Sequence, residues 1–486
     1  MSLINVTNLT FSYEGSYDTI FEEVSFQIDT NWKLGFTGRN GRGKTTFFNL
    51  LLGKYEYKGT ISADVTFEYF PYEVENMDDV TIDIVRQISP QAMDWEIERE
   101  LSLLDMDYDA LYRPFGTLSN GEQTKVLLAA MFLKENAFLL IDEPTNHLDI
   151  DARKMLSAYL NKKKGYILIS HDRLFLDDCI DHILSINKTN IEIQKGNFSS
   201  WWANKEMQDN FERAENEKLK KDIKRLTKAA RRTSDWSDQV EKSKVGAADK
   251  GHIGHMAAKM MQKSKNLERR QKKSIEKKSQ LLKNIEAKEE LKIVSLKFHD
   301  KRVLELSDIA IHYGDKLVCE GINFTIEQGE KVALQGKNGS GKSSILKLIL
   351  GQDVPYEGLL KKNPQLVISY VSQDTSQLQG NLIDFSKQHD LDQIIFRAML
   401  NKLDFSKDQF EKNIEDLSQG QKKKVLIAKS LSERAHLYIW DEPLNFIDVI
   451  SRMQIENLLK EQDITLLFVE HDRAFCESNA SKVVKL

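Results

Sequence analysis

One loop occurs twice in this chain of 486 residues. Gly38-Arg39-Asn40-Gly41-Arg42-Gly43-Lys44-Thr45-Thr46 fits the pattern G-x-x-x-x-G-K-[ST], and Gly336-Lys337-Asn338-Gly339-Ser340-Gly341-Lys342-Ser343-Ser344 fits it again. The first copy follows an apolar strand-like run, Leu34 to Thr37, and precedes a helix-like run, Thr45 to Leu52. Glycines at this spacing let backbone N–H groups curl around phosphate oxygens, and a helix beginning at the loop adds positive potential. Lys44 is placed to reach β- and γ-phosphates, and the Thr45 hydroxyl to ligate Mg2+. A strand, this loop and a helix in succession point to an α/β nucleotide-binding module, and two loops point to two modules.

The rest of each module can be found from the first. Ala137 to Ile141 reads as a buried strand that ends in Asp142-Glu143. Asp142 can hold Mg2+ through water, and Glu143 can polarise an attacking water. Farther on, Tyr166 to Ile169 reads as a strand that leads into Ser170-His171-Asp172, and the second copy has Asp441-Glu442 and His471. Lys44 and Lys342 are 298 residues apart, Glu143 and Glu442 are 299 apart, and His171 and His471 are 300 apart. A near-constant offset means an internal duplication.

Between loop and acids lies Leu118-Ser119-Asn120-Gly121-Glu122-Gln123, matched 299 residues later by Leu417-Ser418-Gln419-Gly420-Gln421. These runs resemble the LSGGQ signature of the ATP-binding cassette superfamily. The resemblance implies two tandem cassettes of the P-loop NTPase class that bind ATP and Mg2+ and hydrolyse ATP to ADP and phosphate. It implies that Ser119 and Gly121 contact the γ-phosphate held by the second cassette, and Ser418 and Gly420 that held by the first. Asn146-His147-Leu148-Asp149 resembles the D-loop, and Asn445-Phe446-Ile447-Asp448 is its counterpart. By the same resemblance, His171 and His471 bond the γ-phosphate. Tyr13 and Tyr313 stack on adenine. Gly38, Asn40, Gly41, Gly43, Lys44, Thr45 and Thr46, with Gly336, Asn338, Gly339, Gly341, Lys342, Ser343 and Ser344, line the nucleotide. The metal set is Thr45, Asp142, Ser343, Gln373 and Asp441, and the catalytic set is Glu143, Glu442, His171 and His471. Gln373 stands at the family's glutamine-loop position, whereas the first copy has Tyr72 there, which offers no amide oxygen.

The stretch between the cassettes has a different character. Residues 201–290 carry 24 Lys and Arg against 15 Asp and Glu, a net charge of +9 in a chain whose total is −5. The remainder therefore sums to −14. A basic insert between acidic modules suits a polyanionic partner. Leu219, Ile223, Leu226 and Ala230 recur at helical spacing, as do Met260, Leu267 and Leu281. The pattern predicts an antiparallel hairpin of two helices of about 30 residues each, with a tip over Thr233 to Gly254 where Gly246, Gly251 and Gly254 fall. The expected domains are a first cassette over 1–200, the hairpin linker over 201–292 and a second cassette over 293–486.

No apolar run reaches the roughly 18 residues that a membrane helix needs. The start, Met1-Ser2-Leu3-Ile4-Asn5, lacks the basic and apolar regions of a secretory leader, and the end at Leu486 leads us to expect no C-terminal extension. Cys179, Cys319 and Cys476 show no metal spacing. The chain is expected in the cytoplasm.

Two cassettes without membrane spans, joined by a basic hairpin, resemble the ABC-F branch. Within it, Gly254-His255-Met256-Ala257-Ala258-Lys259-Met260-Met261, followed by Ser264-Lys265, looks like the Lsa/Vga-type antibiotic-resistance ribosomal protection proteins. That implies binding at the E site of the bacterial ribosome, with the linker near the peptidyl-transferase centre, 23S rRNA and P-site tRNA. It also implies protection against lincosamides, pleuromutilins and streptogramin A, by a monomer whose cassettes close on each other without an obligate protein subunit or a membrane. Two rivals are a housekeeping factor that rescues stalled ribosomes and the ATPase subunit of a transporter. A DNA-repair ATPase is a weaker third, since zinc-type cysteine pairs are lacking.

Overall fold

The structure is a computed structural model. It describes residues 2–13, 19–146, 148–186, 191–242, 259, 262, 265–266, 269–270, 295–297, 300–314, 316–337, 339–403, 405–460 and 462–486. The chain falls into two compact units, Met1–Ser199 with Leu291–Leu486, and Ser200–Glu290.

The first unit holds two similar α/β bodies. In the first body, β1 (Leu3–Ser12), β2 (Thr19–Asp29), β3 (Lys33–Thr37), α1 (Lys44–Leu51), β4 (Lys58–Ser62) and β5 (Thr66–Phe70) come in that order. A helical layer follows: α2 (Thr81–Ile88), α3 (Asp94–Leu103) and α4 (Asn120–Phe132). The chain returns through β6 (Ala137–Asp142), α5 (Ile150–Asn161), β7 (Tyr166–Ile169), α6 (Arg173–Cys179), β8 (His182–Ile186) and β9 (Ile191–Lys195). The strands make two sheets. One is antiparallel, in the order β2-β1-β4, and the other runs β5-β6-β7-β3-β8-β9, parallel except for the β8–β9 pair.

Sequence pattern and layer agree closely. Alternation in β1 buries Ile4 and Val6, and, past a register shift between Val6 and Leu9, Leu9 and Phe11, each pair at the period of a half-buried strand. The central parallel strands have no wet face, and β6 and β7 are apolar almost throughout. Phe47 and Phe48 of α1 lie fully buried in the core that both sheets share. Truncating either to alanine would cost about 3–5 kcal/mol. That packing fixes the start of α1, and with it the phosphate loop.

The second body repeats the plan. After the 45-residue helix α7 (Phe198–Lys242) of the insert, its elements are β10 (Arg302–Tyr313), β11 (Lys316–Glu327), β12 (Lys331–Gln335), α8 (Lys342–Leu350), β13 (Tyr356–Lys362) and β14 (Ile368–Val371). The helical layer is α9 (Leu382–Gln388), α10 (Gln393–Lys402), α11 (Lys407–Glu411) and α12 (Gln419–Ser432). Then come β15 (Leu437–Asp441), α13 (Val449–Lys460), β16 (Leu466–Val469), α14 (Arg473–Asn479) and β17 (Lys482–Lys485). The sheets run β11-β10-β13 and β14-β15-β16-β12-β17, the latter parallel throughout.

The second unit corrects one expectation. Helix α7 does not stop near Thr233 but continues to Lys242. Residues 233–242 contain no glycine or proline, so their Ser, Thr and Asp lower helix propensity by tenths of a kcal/mol each without breaking the ladder. Gly246, Gly251 and Gly254, and the pairing of the hairpin, lie outside the described residues. Lys259, Gln262, Lys265, Asn266, Arg269 and Arg270 are helical and exposed. Among the described residues no helix is long and apolar enough to cross a membrane.

Candidate functional site

The two phosphate loops join β3 to α1 and β12 to α8. Each ends on a glycine in the left-handed region, Gly43 at φ 94° and Gly341 at φ 91°. At Gly43 a Cβ would also meet Ile20 at 2.6 Å, so the turn needs glycine for both strain and space. The following lysines fold back over their own loops. Lys44 Nζ donates to the carbonyls of Gly38 (2.7 Å) and Arg39 (3.3 Å) and to Asn40 Oδ1 (3.2 Å). Lys342 Nζ donates to the carbonyls of Gly336 and Lys337, both at 2.8 Å. Burial lowers both ammonium pKa values, with nearby carboxylates opposing the shift. Gly41 and Gly339 are left-handed turns open on the Cβ side. Asn338 lies outside the described residues.

Tyr13 and Tyr313 are half-exposed beside their loops, and their hydroxyls meet Thr46 Oγ1 at 2.8 Å and Ser344 Oγ at 3.4 Å. Thr45 is exposed and Ser343 half-buried at the starts of their helices.

Strands β6 and β15 deliver the acids. Glu143 and Glu442 sit at φ 52° and 47°, a conformation that non-glycine residues rarely adopt. Their N–H groups bond to the carbonyls of Ile169 (2.9 Å) and Val469 (3.0 Å), which draws each acid against the end of the neighbouring strand. The histidine two residues farther on therefore comes close. His171 Nε2 is 3.3 Å from Glu143 Oε1, and His471 Nε2 is 3.6 Å from Glu442 Oε1.

The carboxyls differ electrostatically. Burial, then the adjacent Asp142, pushes Glu143 up to about 8. Burial also acts on Glu442, but His471, Asn445 and Lys423 outweigh it and hold that carboxyl below its usual range. Gln373 Nε2 (2.8 Å) and Asn445 Nδ2 (2.6 Å) both donate to Glu442 Oε2. In the first copy Tyr72 is 37% exposed, and the nearby Tyr69 hydroxyl instead donates to Asp142 Oδ2 at 3.1 Å. Burial drives His171 well below its ordinary pKa.

Ser119 and Ser418 are N-caps of α4 and α12, each closed by a capping box with Glu122 or Gln421. A cleft of about 790 Å3 has Ser119 and Gly121 on one wall and Lys342, Ser343, Gln373, Glu442 and His471 on the other. Thus the first signature faces the second phosphate loop. On the other side, a Cβ on Gly420 would lie 2.2 Å from the Phe446 carbonyl and 3.3 Å from Asn40 Nδ2. Asn40 Nδ2 in turn donates to the Phe446 carbonyl at 3.0 Å. Further ties cross between the bodies: Arg173 to Glu456 at 2.6 Å, and Arg153 to the His471 carbonyl at 3.2 Å.

The oxygen set suits a hard divalent cation. In the second site Asp441 Oδ1 is buried without a hydrogen-bond partner, and Asp441 bonds to Ser343. Burial, then Glu442, raises Asp441 to about 6, and a cation held beside it would favour the anion. Asp142 is likewise raised, by burial. The motif reading missed Asn445, Arg153, Lys423 and Glu470. Asn445 opens the second D-loop run, and the signal for the last two is the mismatch between the copies, where Thr124 and Ser170 take their places.

Residues 21–146 and 319–445 match the ABC transporter family. The chain belongs to that family. The ribosome protection protein VmlR of Bacillus subtilis is 29% identical, over 99% of this chain and 86% of VmlR. The ATP-binding protein Uup of Buchnera aphidicola is also 29% identical, over 99% of this chain and 80% of Uup. With these relatives the chain is an ABC-F ATPase. Among solved structures, the archaeal ribosome recycling factor aABCE1, in complex with the ribosomal stalk protein aP1, superposes with a TM-score of 0.64. It is 18% identical and matches 98% of this chain and 87% of that one, a likeness of fold. In the ABC-F ATPase described here, both family segments end at the D-loop asparagine, Asn146 or Asn445.

Proposed function

We propose that this ATPase binds the bacterial ribosome at the E site and protects the peptidyl-transferase centre from lincosamide, pleuromutilin and streptogramin A antibiotics. The observation that carries the reading is the cleft in which the signature of one cassette faces the phosphate loop of the other. Such a site is complete only when the cassettes are closed, so nucleotide state is tied to the geometry of everything that joins them. The basic insert and the similarity to VmlR over 99% of the chain support a ribosomal partner. Lys and Arg rows fit A-form RNA, which is bound largely through phosphates and shape.

In this reading each ATP is held by one loop and completed by the opposite signature. Lys44 or Lys342 leaves its loop carbonyls for the β- and γ-phosphates. Thr45 with Asp142, and Ser343 with Asp441 and Gln373, hold Mg2+, which when bound offsets the phosphate charge. Glu143 and Glu442 orient water and take its proton. His171 and His471 bond the γ-phosphate, and Tyr13 and Tyr313 cover adenine. The linker over 201–292 contacts 23S rRNA near P-site tRNA, and the chain works as a cytoplasmic monomer.

Uup matches at the same identity as VmlR, which favours a second reading, a factor that acts without any drug. Ribosome cosedimentation with ATP, paired with drug susceptibility of cells that express the protein, separates these. Binding with protection supports the first reading. Binding without protection supports the second. Recovery with membranes rather than ribosomes refutes both.

A further inference from the structure

Around their catalytic carboxylates the two cassettes differ at three matched positions. Tyr72, Thr124 and Ser170 of the first stand where Gln373, Lys423 and Glu470 stand in the second. Lys423 lies on α12, five residues past Ser418, and is 1% exposed. Its Nζ donates to the carbonyl of Ser372 at 2.8 Å and to the carbonyl of Glu442 at 3.1 Å. Ser372 immediately precedes Gln373, whose amide reaches the Glu442 carboxylate at 2.8 Å. One ammonium therefore ties together the two segments whose side chains meet on that carboxylate, and it does so from the helix that carries the signature.

A buried ammonium is unfavourable unless its charge is balanced and its protons are bonded. Burial lowers the Lys423 pKa, and the surrounding acids Glu470, Asp441 and Glu442 oppose that shift. Glu470 is itself buried next to His471, and its Oε2 has no hydrogen-bond partner. In the first cassette the matched pair is neutral. Thr124 donates to the Asn120 carbonyl of its own helix at 2.9 Å, and Ser170 Oγ meets Thr145 Oγ1 at 3.2 Å. The second site thus contains a buried ammonium, and a carboxyl that burial pushes up to about 8, where the first has two hydroxyls.

We propose that Lys423 is a positioning residue of the second site. It locks the signature helix to the glutamine loop and to the backbone of Glu442. The inference rests on Glu442 being the group that orients water. A shift of α12 when the cassettes close would then be transmitted to Glu442 in the second site by a route that the first does not possess.

The test gives Lys423 and Glu470 the residues of the first cassette. The double variant K423T/E470S, which carries both residues of the first cassette, is the main comparison, with Lys423→Arg and Glu442→Gln beside it. Steady-state ATP hydrolysis and thermal melting are measured for each. K423T/E470S is expected to melt within a few degrees of the wild type. Its kcat should drop toward that of Glu442→Gln, with KM changed less than about twofold. Lys423→Arg should recover a substantial part of the kcat. If Glu442→Gln abolishes second-site turnover while K423T/E470S keeps wild-type kcat, the positioning role is wrong and the reading of Glu442 stands. If Glu442→Gln itself keeps wild-type turnover, both fall. A K423T/E470S variant whose kcat loss is matched by a large loss of melting temperature, with no recovery by Lys423→Arg, also overturns the proposal in favour of a packing role.

Discussion

The side-chain amide of Asn40 donates to the main-chain carbonyl of Phe446 at 3.0 Å, so the first phosphate loop is hydrogen-bonded to the D-loop turn of the other cassette. Phe446 holds the left-handed conformation, at φ 63°, that turns this carbonyl toward the loop. Asn40→Ala removes the bond and leaves the carbonyl to water. The expected loss is about 0.5–1.5 kcal/mol of closure, a two- to tenfold rise in the ATP needed to close the cassettes. ATP titration of a fluorophore pair, one on each cassette, reads it. An unchanged midpoint would mean that the contact contributes nothing to closure.

Glu143→Gln with Glu442→Gln should keep ATP binding and slow hydrolysis by about 10²–10⁴-fold, since the amide preserves shape but takes no proton. Ribosome-bound protein should then accumulate in ATP. Rapid release of this double variant in ATP contradicts the assignment of both glutamates.

The raised pKa of Glu143 sets a pH dependence for the nucleotide-free protein. In the folded chain this carboxyl titrates near 8, above its ordinary value of 4.5, because burial and Asp142 disfavour the anion. Between those values the folded state binds more protons than the unfolded one, so stability falls as pH rises. Glutamine mimics the protonated form. Glu143→Gln should therefore raise the melting temperature more at about pH 8.5 than at about pH 5.5. Equal effects at both pH values would place the Glu143 carboxyl in water.

Lys265, Arg269 and Arg270 are exposed on a helical segment of the insert. If they meet RNA phosphates, changing all three to alanine should weaken ribosome binding and flatten its dependence on log salt by about 2, one counterion-release increment for each lost phosphate contact. ATPase activity without ribosomes should hold, as these residues are far in sequence from both loops. An unchanged salt slope removes them from the interface. Changes at Val240 to Ala248 should instead spare binding and lower drug protection, read by pairing the same isotherm with susceptibility.

Motifs were legible where chemistry demands a particular backbone. Gly43 and Gly341 must turn left-handed, Asp142 and Asp441 must end a buried strand, and Ser119 and Ser418 must cap a helix, so each leaves a residue type at a fixed spacing. Contacts between distant segments leave no such mark. Nothing in the string Asn40 to Lys44 announces Phe446, because a backbone carbonyl accepts from any donor that tertiary packing brings to it. Helix α7 runs past its expected end for a related reason: Thr233, Ser234 and Asp235 are weak helix formers, and a weak propensity yields to its surroundings.

A helix of 45 residues has a mechanical consequence of its own. At 1.5 Å per residue α7 is about 68 Å long. It is a pointer: a swing of about three degrees at Phe198 carries Lys242 sideways by about 3.5 Å, roughly the reach of a hydrogen bond. For such an element the quantity to be controlled at the root is an angle, and small angles there become whole contacts made or lost at the far end.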